Sequence, residues 1–529
     1  MVSATTPIKP KTETKESNLY STPTGFEHLN DLNDTGNAQR FLFQFGSRIK
    51  FVAGAWQKWL IWNGRCWQID TTCEVERMFK SSVRSAIEVY EQWLKEHDDW
   101  KTKPKKPTAT PPPLDGNPLE QKAYETSIKM LKEYDNSLRE LKAYSEAITL
   151  LKYLKSSLNS SKIAAGLQSA QSEGVTISHD VLNQTKGLLV CSNGTINLAT
   201  GQLQKSNPDD LLTSHIKTNY NEEATCPMWM QFLDEIFITE DGEPDEELIE
   251  YMQKLFGCAV TGLAPRENVF PILYGSGGNG KSTMLKVIQT ILGDDIAYGC
   301  DPNFLCESKA NQHLTSIAST FGKKLVLAQE PPAGARLNTS LIKSFSGGDQ
   351  MTARRMFEDE WQFYPECLLL YSTNEKPEVK EATQGIWRRV RLIPFLATFP
   401  AGTENRKLAQ VLLEEESEGI LCWIIAGAKS YLADGLKCPE RILTETAKYQ
   451  NEEDIVAGWL DDCCTIHTDT VVKSKASDVQ ASFKKWCELN NVRSNKKDLA
   501  DGLKKRGITS LKSNGNFWCK IKINHDEPD

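Results

Sequence analysis

Long apolar runs, paired cysteines and an excess of positive charge are all missing from this 529-residue chain. No stretch approaches the roughly 20 apolar residues of a membrane span. The start, MVSATTPIKPKTETKES, has no apolar core of a secretory leader. A soluble protein kept in the cytoplasm, in a bacterial or other host cell, with no membrane partner, is therefore expected. The 14 cysteines run from Cys66 to Cys519 without a C-x-x-C pair, and the doublet Cys463-Cys464 suits neither an ordinary bridge nor half a zinc site. Scattered thiols in a chain of this size read as reduced. With 62 Lys plus Arg against 70 Asp plus Glu, the net charge of -8 excludes a chain coated throughout in nucleic-acid-binding charge.

What is present suffices for about three domains. Residues 1–36 are rich in Thr, Ser, Lys and Pro with few large apolar groups, and read as a flexible tail. From Arg40 the texture changes to RFLFQFGSRIKFVAGAWQKWLIWNGRCWQID, where aromatic and β-branched residues around Asn63-Gly64 predict a hairpin. Its Trp56, Trp59, Trp62 and Trp67 suit base stacking, although strand aromatics more often build a core. A Pro- and Lys-rich insertion at 101–118 interrupts two helical stretches. The second, Leu119 to Leu158, places Ile128, Leu131, Tyr134, Leu138 and Leu141 on one face, then shifts register at Ser145, which argues against a long coiled coil. LLVCSNGTINLATGQL, at 188–203, carries a second hairpin signal with turns at Asn193-Gly194 and Thr200-Gly201.

The chemistry begins at VFPILYGSGGNGKSTMLKVIQTILG, which reads as a buried strand from Phe270 to Tyr274, a Gly-rich loop, and a helix ending near Gly293. Gly275, four residues, Gly280, Lys281 and Ser282 fit G-x-x-x-x-G-K-[ST] in full. Glycines let backbone N–H groups close around phosphate oxygens, and the helix N-terminus adds positive potential. Lys281 is placed for the β and γ phosphates, and Ser282 for Mg²⁺. The nucleotide-binding set is Gly275, Ser276, Gly277, Gly278, Asn279, Gly280, Lys281, Ser282 and Thr283, with ATP and Mg²⁺ as cofactors. Further on, KKLVLAQEPP is a strand ending at Glu330, suited either to the Mg²⁺ shell or to activating water. ECLLLYSTNEKP ends in Asn374, which can orient the attacking water, and GIWRRVRLIPF sets Arg388, Arg389 and Arg391 beside a strand.

These four motifs, in this order, resemble the superfamily III helicases, specifically the phage and plasmid primase-helicase group that includes the poxvirus-type primase-helicase. SLIKSFSGGDQMTARRMFEDEWQFYP is similar to that group's additional motif, through Lys343, Gly347, Gly348, Asp349 and Arg354. GAWQKWLIWNGRCWQID and GLLVCSNGTINLATG resemble the accessory domain that precedes the ATPase. The resemblance implies an α/β fold: an N-terminal α+β accessory domain (37–225), an AAA+ type P-loop ATPase core (226–440) and a C-terminal winged-helix domain (441–529). It implies a homohexameric ring moving along single-stranded and forked DNA by ATP hydrolysis between subunits. Carried over, Lys281 and Ser282 bind nucleotide and metal, Glu330 is the Walker B acid and a metal residue, Asn374 is the sensor, and Arg389 or Arg388 is the finger acting on a neighbouring subunit. Gln329 stands where many members have a second acid. The expected hairpin from Met351 to Tyr364 has an acidic tip, Glu358 to Glu360, so DNA contact is assigned to Lys343, Arg354 and Arg355. A counterpart of the family's primase domain is not expected before the accessory region, so a separate primase or polymerase is an expected partner.

The C-terminal composition swings to basic. From Val471 to His525 there are 13 basic and 4 acidic residues, a surplus of 9, so the remainder is acidic by 17. DVQASFKKWCELNN and SNKKDLADGLKKRGI read as amphipathic helices with Phe483, Trp486, Leu489, Leu499 and Leu503 inward. FWCKIKIN reads as a strand with Trp518, Lys520 and Lys522 opposite Cys519, Ile521 and Ile523. Helix, helix, hairpin is the winged-helix order, and Lys496, Lys497, Lys504, Lys505 and Arg506 are its candidate phosphate contacts. The function expected is an ATP-driven replicative helicase of a phage, plasmid or integrated element. Alternatives are an initiator whose ATPase melts an origin, and a primase-associated ATPase, protein remodeler or RNA translocase.

Overall fold

A computed structural model describes residues 32–108, 117–307, 314–332, 334–379, 384–400, 405, 407–490, 496–512 and 515–524. The chain forms two compact units. One comprises the residues up to Asn63 with Gln68–His179, the other Gly64–Trp67 with everything from Asp180 on. The expected accessory domain ran to residue 225, but the sheet at 188–204 belongs to the second unit. Its Leu189, Cys191, Ile196 and Leu198 are buried in the same core as the helix after the P-loop.

In the first unit, most of the predicted tail, 1–31, lies outside the described residues. Its last residues are helical instead: Asp34–Phe45 is a helix capped by Asn33, whose side chain accepts from Gly36 N at 2.8 Å. The aromatic stretch therefore starts as helix, burying Phe41 against Phe79, and turns to strands only at Ile49–Val52 and Lys58–Trp62. Asn63-Gly64 does lead into a further strand, Trp67–Ile69. Trp56 and Trp67 are buried and Trp59 packs edge-on to Phe51 at 5.1 Å, so these rings serve as core. The long helix spans Pro118–Ser156 with an Asn117 cap. Its buried positions are Ala143, Ala147 and Leu154, beyond the predicted face. Ile128, Leu131, Tyr134, Leu138 and Leu141 are only half-buried.

The second unit is built on five parallel strands: β1 (Phe270–Tyr274), β2 (Ala297–Gly299), β3 (Leu325–Gln329), β4 (Leu368–Thr373) and β5 (Val390–Pro394), in the order β5-β1-β4-β3-β2. Both faces are covered, so β4 reads Leu-Leu-Leu-Tyr-Ser-Thr with every position buried. Helices Glu246–Thr261 and Ser417–Asp434 cross here with almost no side-chain layer between them. A Cβ on Gly257 would lie 2.1 Å from Ala428 N, and one on Gly427 2.1 Å from Gln253 O. Glu416 reaches back to cap another helix, Pro227–Ile236, accepting from Met228 N at 2.9 Å and Trp229 N at 2.8 Å.

Two boundaries near the C-terminus differ from expectation. Helix Glu440–Glu452 packs on β5, with Leu392 N donating to Thr446 Oγ1 at 2.9 Å, so it belongs to the core and not to the terminal module. The module proper runs as helix Ile455–Cys463, strands Cys464–Ile466 and Lys473–Lys475, helices Ala476–Leu489 and Lys496–Lys505, then strands Ser510–Lys512, Asn516–Cys519 and Ile521–Ile523. Phe483, Leu499 and Leu503 are buried as expected, whereas Leu489 is exposed. The single strand read from FWCKIKIN is broken by Lys520, at φ 68°. Asn516–Cys519 pairs with Lys473–Lys475 and Ser510–Lys512, while Ile521–Ile523 pairs with Cys464–Ile466. Trp518 and Cys519 are consequently both buried.

All 14 cysteines are free thiols, and Cys73 alone is exposed. Burial pushes the Cys191, Cys258 and Cys367 thiols up to about 12.

Candidate nucleotide-binding site and nucleic-acid interface

The P-loop lies where β1 hands over to helix Lys281–Leu292. Gly277, Gly278 and Gly280 take φ of 95°, 60° and 82°, the left-handed region that only glycine enters without strain. Gly280 is fixed a second way, since a Cβ there would meet Ile236 Cγ2 at 2.4 Å. Lys281 is buried to 3% exposure, and its ammonium donates to Gly275 O at 2.8 Å, Asn279 Oδ1 at 3.0 Å and Asn374 Oδ1 at 3.2 Å. Burial pulls its pKa down to about 8, against the opposing pull of the Glu330 carboxylate. Ser276 and Ser282 are exposed and Thr283 is half-buried.

Glu330 leaves the tip of β3 with φ 52°, anchored by its N–H to Ser372 O at 3.0 Å. A left-handed glutamate is costly and marks a position fixed by its surroundings. Glu330, Tyr371, Thr373, Asn374 and Lys376 line a cavity of about 260 Å³. The predicted Lys281, Glu330 and Asn374 are thus brought to adjacent strand tips. The glycine cradle, the buried amine and the exposed Ser282 hydroxyl fit a nucleoside triphosphate. Among the described residues no trio of His, Cys, Asp or Glu side chains forms a metal cage. Mg²⁺ bound with a nucleotide is commonly held by one or two protein oxygens together with phosphates and water, for which Ser282 and Glu330 are the candidates.

The arginine pair separates. Arg389 is buried and bonded within its own chain, to Ser346 Oγ at 3.2 Å, Gly385 O at 2.7 Å and Asn268 Oδ1 at 3.4 Å. A side chain so held already has three partners within its own chain. Arg388, beside it, is exposed.

The expected hairpin is present: Met351–Ala353 pairs antiparallel with Trp361–Phe363. Its arginines are compensated within the hairpin, Arg354 lying 3.8 Å from Glu360 and Arg355 3.8 Å from Glu358. They are poorer phosphate contacts than their charge suggests. Lys343 is half-buried. Sequence reasoning missed Phe357, which stands fully exposed at the tip with φ 62°, beside exposed Met356. The only signal was an aromatic inside the acidic run MFEDE. In the terminal module Lys496, Lys504 and Lys505 are exposed, while the Lys497 side chain lies outside the described residues. Arg506 is tied to Asp454 at 2.5 Å and to Gly502 O at 3.1 Å, so it buttresses the module from within.

Residues 38–238 match the family model described as D5 N terminal like, and residues 273–389 match a family of unknown function (DUF5906). A candidate helicase of Acanthamoeba polyphaga mimivirus is 26% identical over 366 residues, 64% of this chain and 37% of that protein. One from Invertebrate iridescent virus 3 is 24% identical over 342 residues, 58% of this chain and 35% of the relative. A candidate primase of African swine fever virus is 23% identical over 128 residues, 24% of this chain and 13% of the relative. The chain spans little more than a third of the length of the first two relatives. The apo structure of the NrS-1 C terminal region aligns at TM-score 0.35 and 13% identity, over 61% of this chain and 88% of that one, a likeness too slight to bear on the fold. No helix among the described residues is long and apolar enough to cross a membrane. A D5-like N-terminal region is thus joined to a segment shared with these viral proteins, a combination that supports a likeness to the primase-helicases.

Proposed function

We propose that this chain is an ATP-dependent replicative DNA helicase of a mobile or viral element, with a AAA+ type core acting as a homohexameric ring on single-stranded and forked DNA. The observation that carries the reading is the Lys281 ammonium shared between the P-loop and Asn374, which joins phosphate binding to a sensor on the next strand. In this reading Lys281 and the loop amides hold the phosphates, Ser282 and Glu330 hold Mg²⁺, and Asn374 orients the lytic water. Arg388 acts on the nucleotide of the neighbouring subunit. Gln329 carries no charge, so Glu330 bears both metal and base roles.

Phe357 and Met356 at the hairpin tip stack on bases, while the winged-helix module supplies phosphate contacts through Lys496, Lys497, Lys504 and Lys505. Forked-DNA unwinding by the full chain and by Lys281→Ala tests the proposal. Unwinding that survives the substitution sinks it. The basic module also supports a second reading, an origin-binding initiator. Footprinting of the full chain against one ending at Asp454 on the element's own DNA decides between them: site-specific protection lost with the module favours the initiator.

A further inference from the structure

We propose that helix Glu440–Glu452 couples the nucleotide site to the basic C-terminal module, so that nucleotide and duplex DNA do not bind this chain independently. The inference rests on the functional reading above. Immediately after Asn374 the chain is fastened to the last turn of this helix at three successive points. Lys376 Nζ pairs with Glu452 Oε2 at 2.5 Å, Tyr449 OH donates to Pro377 O, and Val379 N–H donates to Glu453 Oε2 at 2.8 Å. Lys376 also sits 5.4 Å over the ring of Tyr274, the residue just before Gly275. Tyr449 is fully buried and meets Trp387 edge-on at 5.1 Å, so the attachment is packed as well as polar. A displacement of Asn374 on meeting a terminal phosphate must carry the helix with it or break these bonds.

The other end of the helix's last turn has no linker. Glu453 is its C-cap, and Asp454 is already the N-cap of Ile455–Cys463, accepting from Ala457 N at 3.1 Å. The second oxygen of Asp454 takes Arg506, the residue that follows helix Lys496–Lys505, at 2.5 Å. A flexible connection would let the module tumble apart from the core. A two-residue joint with a carboxylate bonded on each side transmits rotation to the basic helix instead, a contiguous packed route of the kind that can carry coupling between sites.

The test measures binding of a fluorescent non-hydrolysable ATP analogue with and without random-sequence duplex DNA, and duplex binding with and without the analogue. In the unsubstituted chain each ligand is expected to tighten the other by the same factor, roughly fivefold or more. In Glu452→Ala/Glu453→Ala the mutual effect disappears while each ligand alone binds as before. Glu453→Gln, which keeps an acceptor for Val379 N–H, retains it. Should the double variant not fold, Glu452→Lys, which sets two ammoniums together at a half-exposed position, gives the same reading. A double variant with the full mutual effect overturns the inference, as does a wild-type chain that binds both ligands independently. Neither result touches the functional proposal. Absence of analogue binding, or binding unaffected by Lys281→Ala, sinks both.

Discussion

Lys281 is expected to make nucleotide affinity depend on pH in a window where ATP itself no longer titrates. Burial lowers its pKa to about 8 in the nucleotide-free protein, while an unfolded or exposed lysine titrates near 10.5. The sign follows: raising the pH through 8 neutralises the amine, and a neutral amine offers phosphate no charge. About nine-tenths of the chains carry the ammonium at pH 7 and about one-tenth at pH 9, so apparent ATP affinity falls roughly tenfold, about 1.4 kcal/mol. Binding at pH 9 takes up a proton, because phosphate restores the charged form. Titration calorimetry in two buffers of different ionisation enthalpy reads both the affinity and the proton. Residual binding by Lys281→Ala is expected to be flat over the same range. Affinity that does not fall between pH 7.5 and 9.5, with no proton uptake, refutes the description of this lysine as a desolvated amine poised to lose its charge.

Four further outcomes are expected. Phe357→Ala weakens single-stranded DNA binding by about 1–3 kcal/mol and abolishes DNA stimulation of the ATPase, whereas Phe357→Trp retains both; unchanged binding in a filter assay removes the hairpin tip from the interface. Arg389→Ala lowers the thermal unfolding temperature because Ser346, Asn268 and Gly385 lose a buried partner, while Arg388→Ala leaves it unchanged and depresses ATP turnover. The reverse pattern would return the finger role to Arg389. Gly257→Ala forces backbones apart where its methyl would meet Ala428 N, costing about 1–3 kcal/mol or more, read as early unfolding by calorimetry. Arg506→Ala destabilises the terminal module without changing the salt slope of DNA binding, whereas Lys504→Ala reduces that slope by about one.

Legibility from sequence followed the range of the interactions. The P-loop was readable because strand, glycines, lysine and helix are consecutive, and each residue type is dictated by one local geometry. Arg388 and Arg389 were not separable, because what distinguishes them is Ser346 and Asn268, contributed from 43 and 121 residues away. Helix Glu440–Glu452 was given to the wrong domain for the same reason: composition marked the basic swing, but its partner β5 lies about 50 residues upstream. In FWCKIKIN the alternation rule failed at one residue, since Lys520 in a left-handed conformation resets which face follows. The hairpin is legible from its pattern, but the internal pairing of Arg354 and Arg355, which leaves Phe357 as the exposed group at the tip, exists only in three dimensions.

Of the fourteen thiols Cys73 alone is exposed, which makes it the site a thiol reagent meets first. Maleimides react with thiolate; eight of the other sulfurs are buried and five are half-buried, and burial at Cys191, Cys258 and Cys367 also suppresses ionisation at neutral pH. Cys73 precedes helix Glu74–Glu96 in the D5-like region, remote in sequence from the P-loop. A dye or spin label introduced there at low stoichiometry marks the first unit without engineering. Labelling that spreads beyond Cys73 only with denaturant then reports opening of the core, one sulfur at a time.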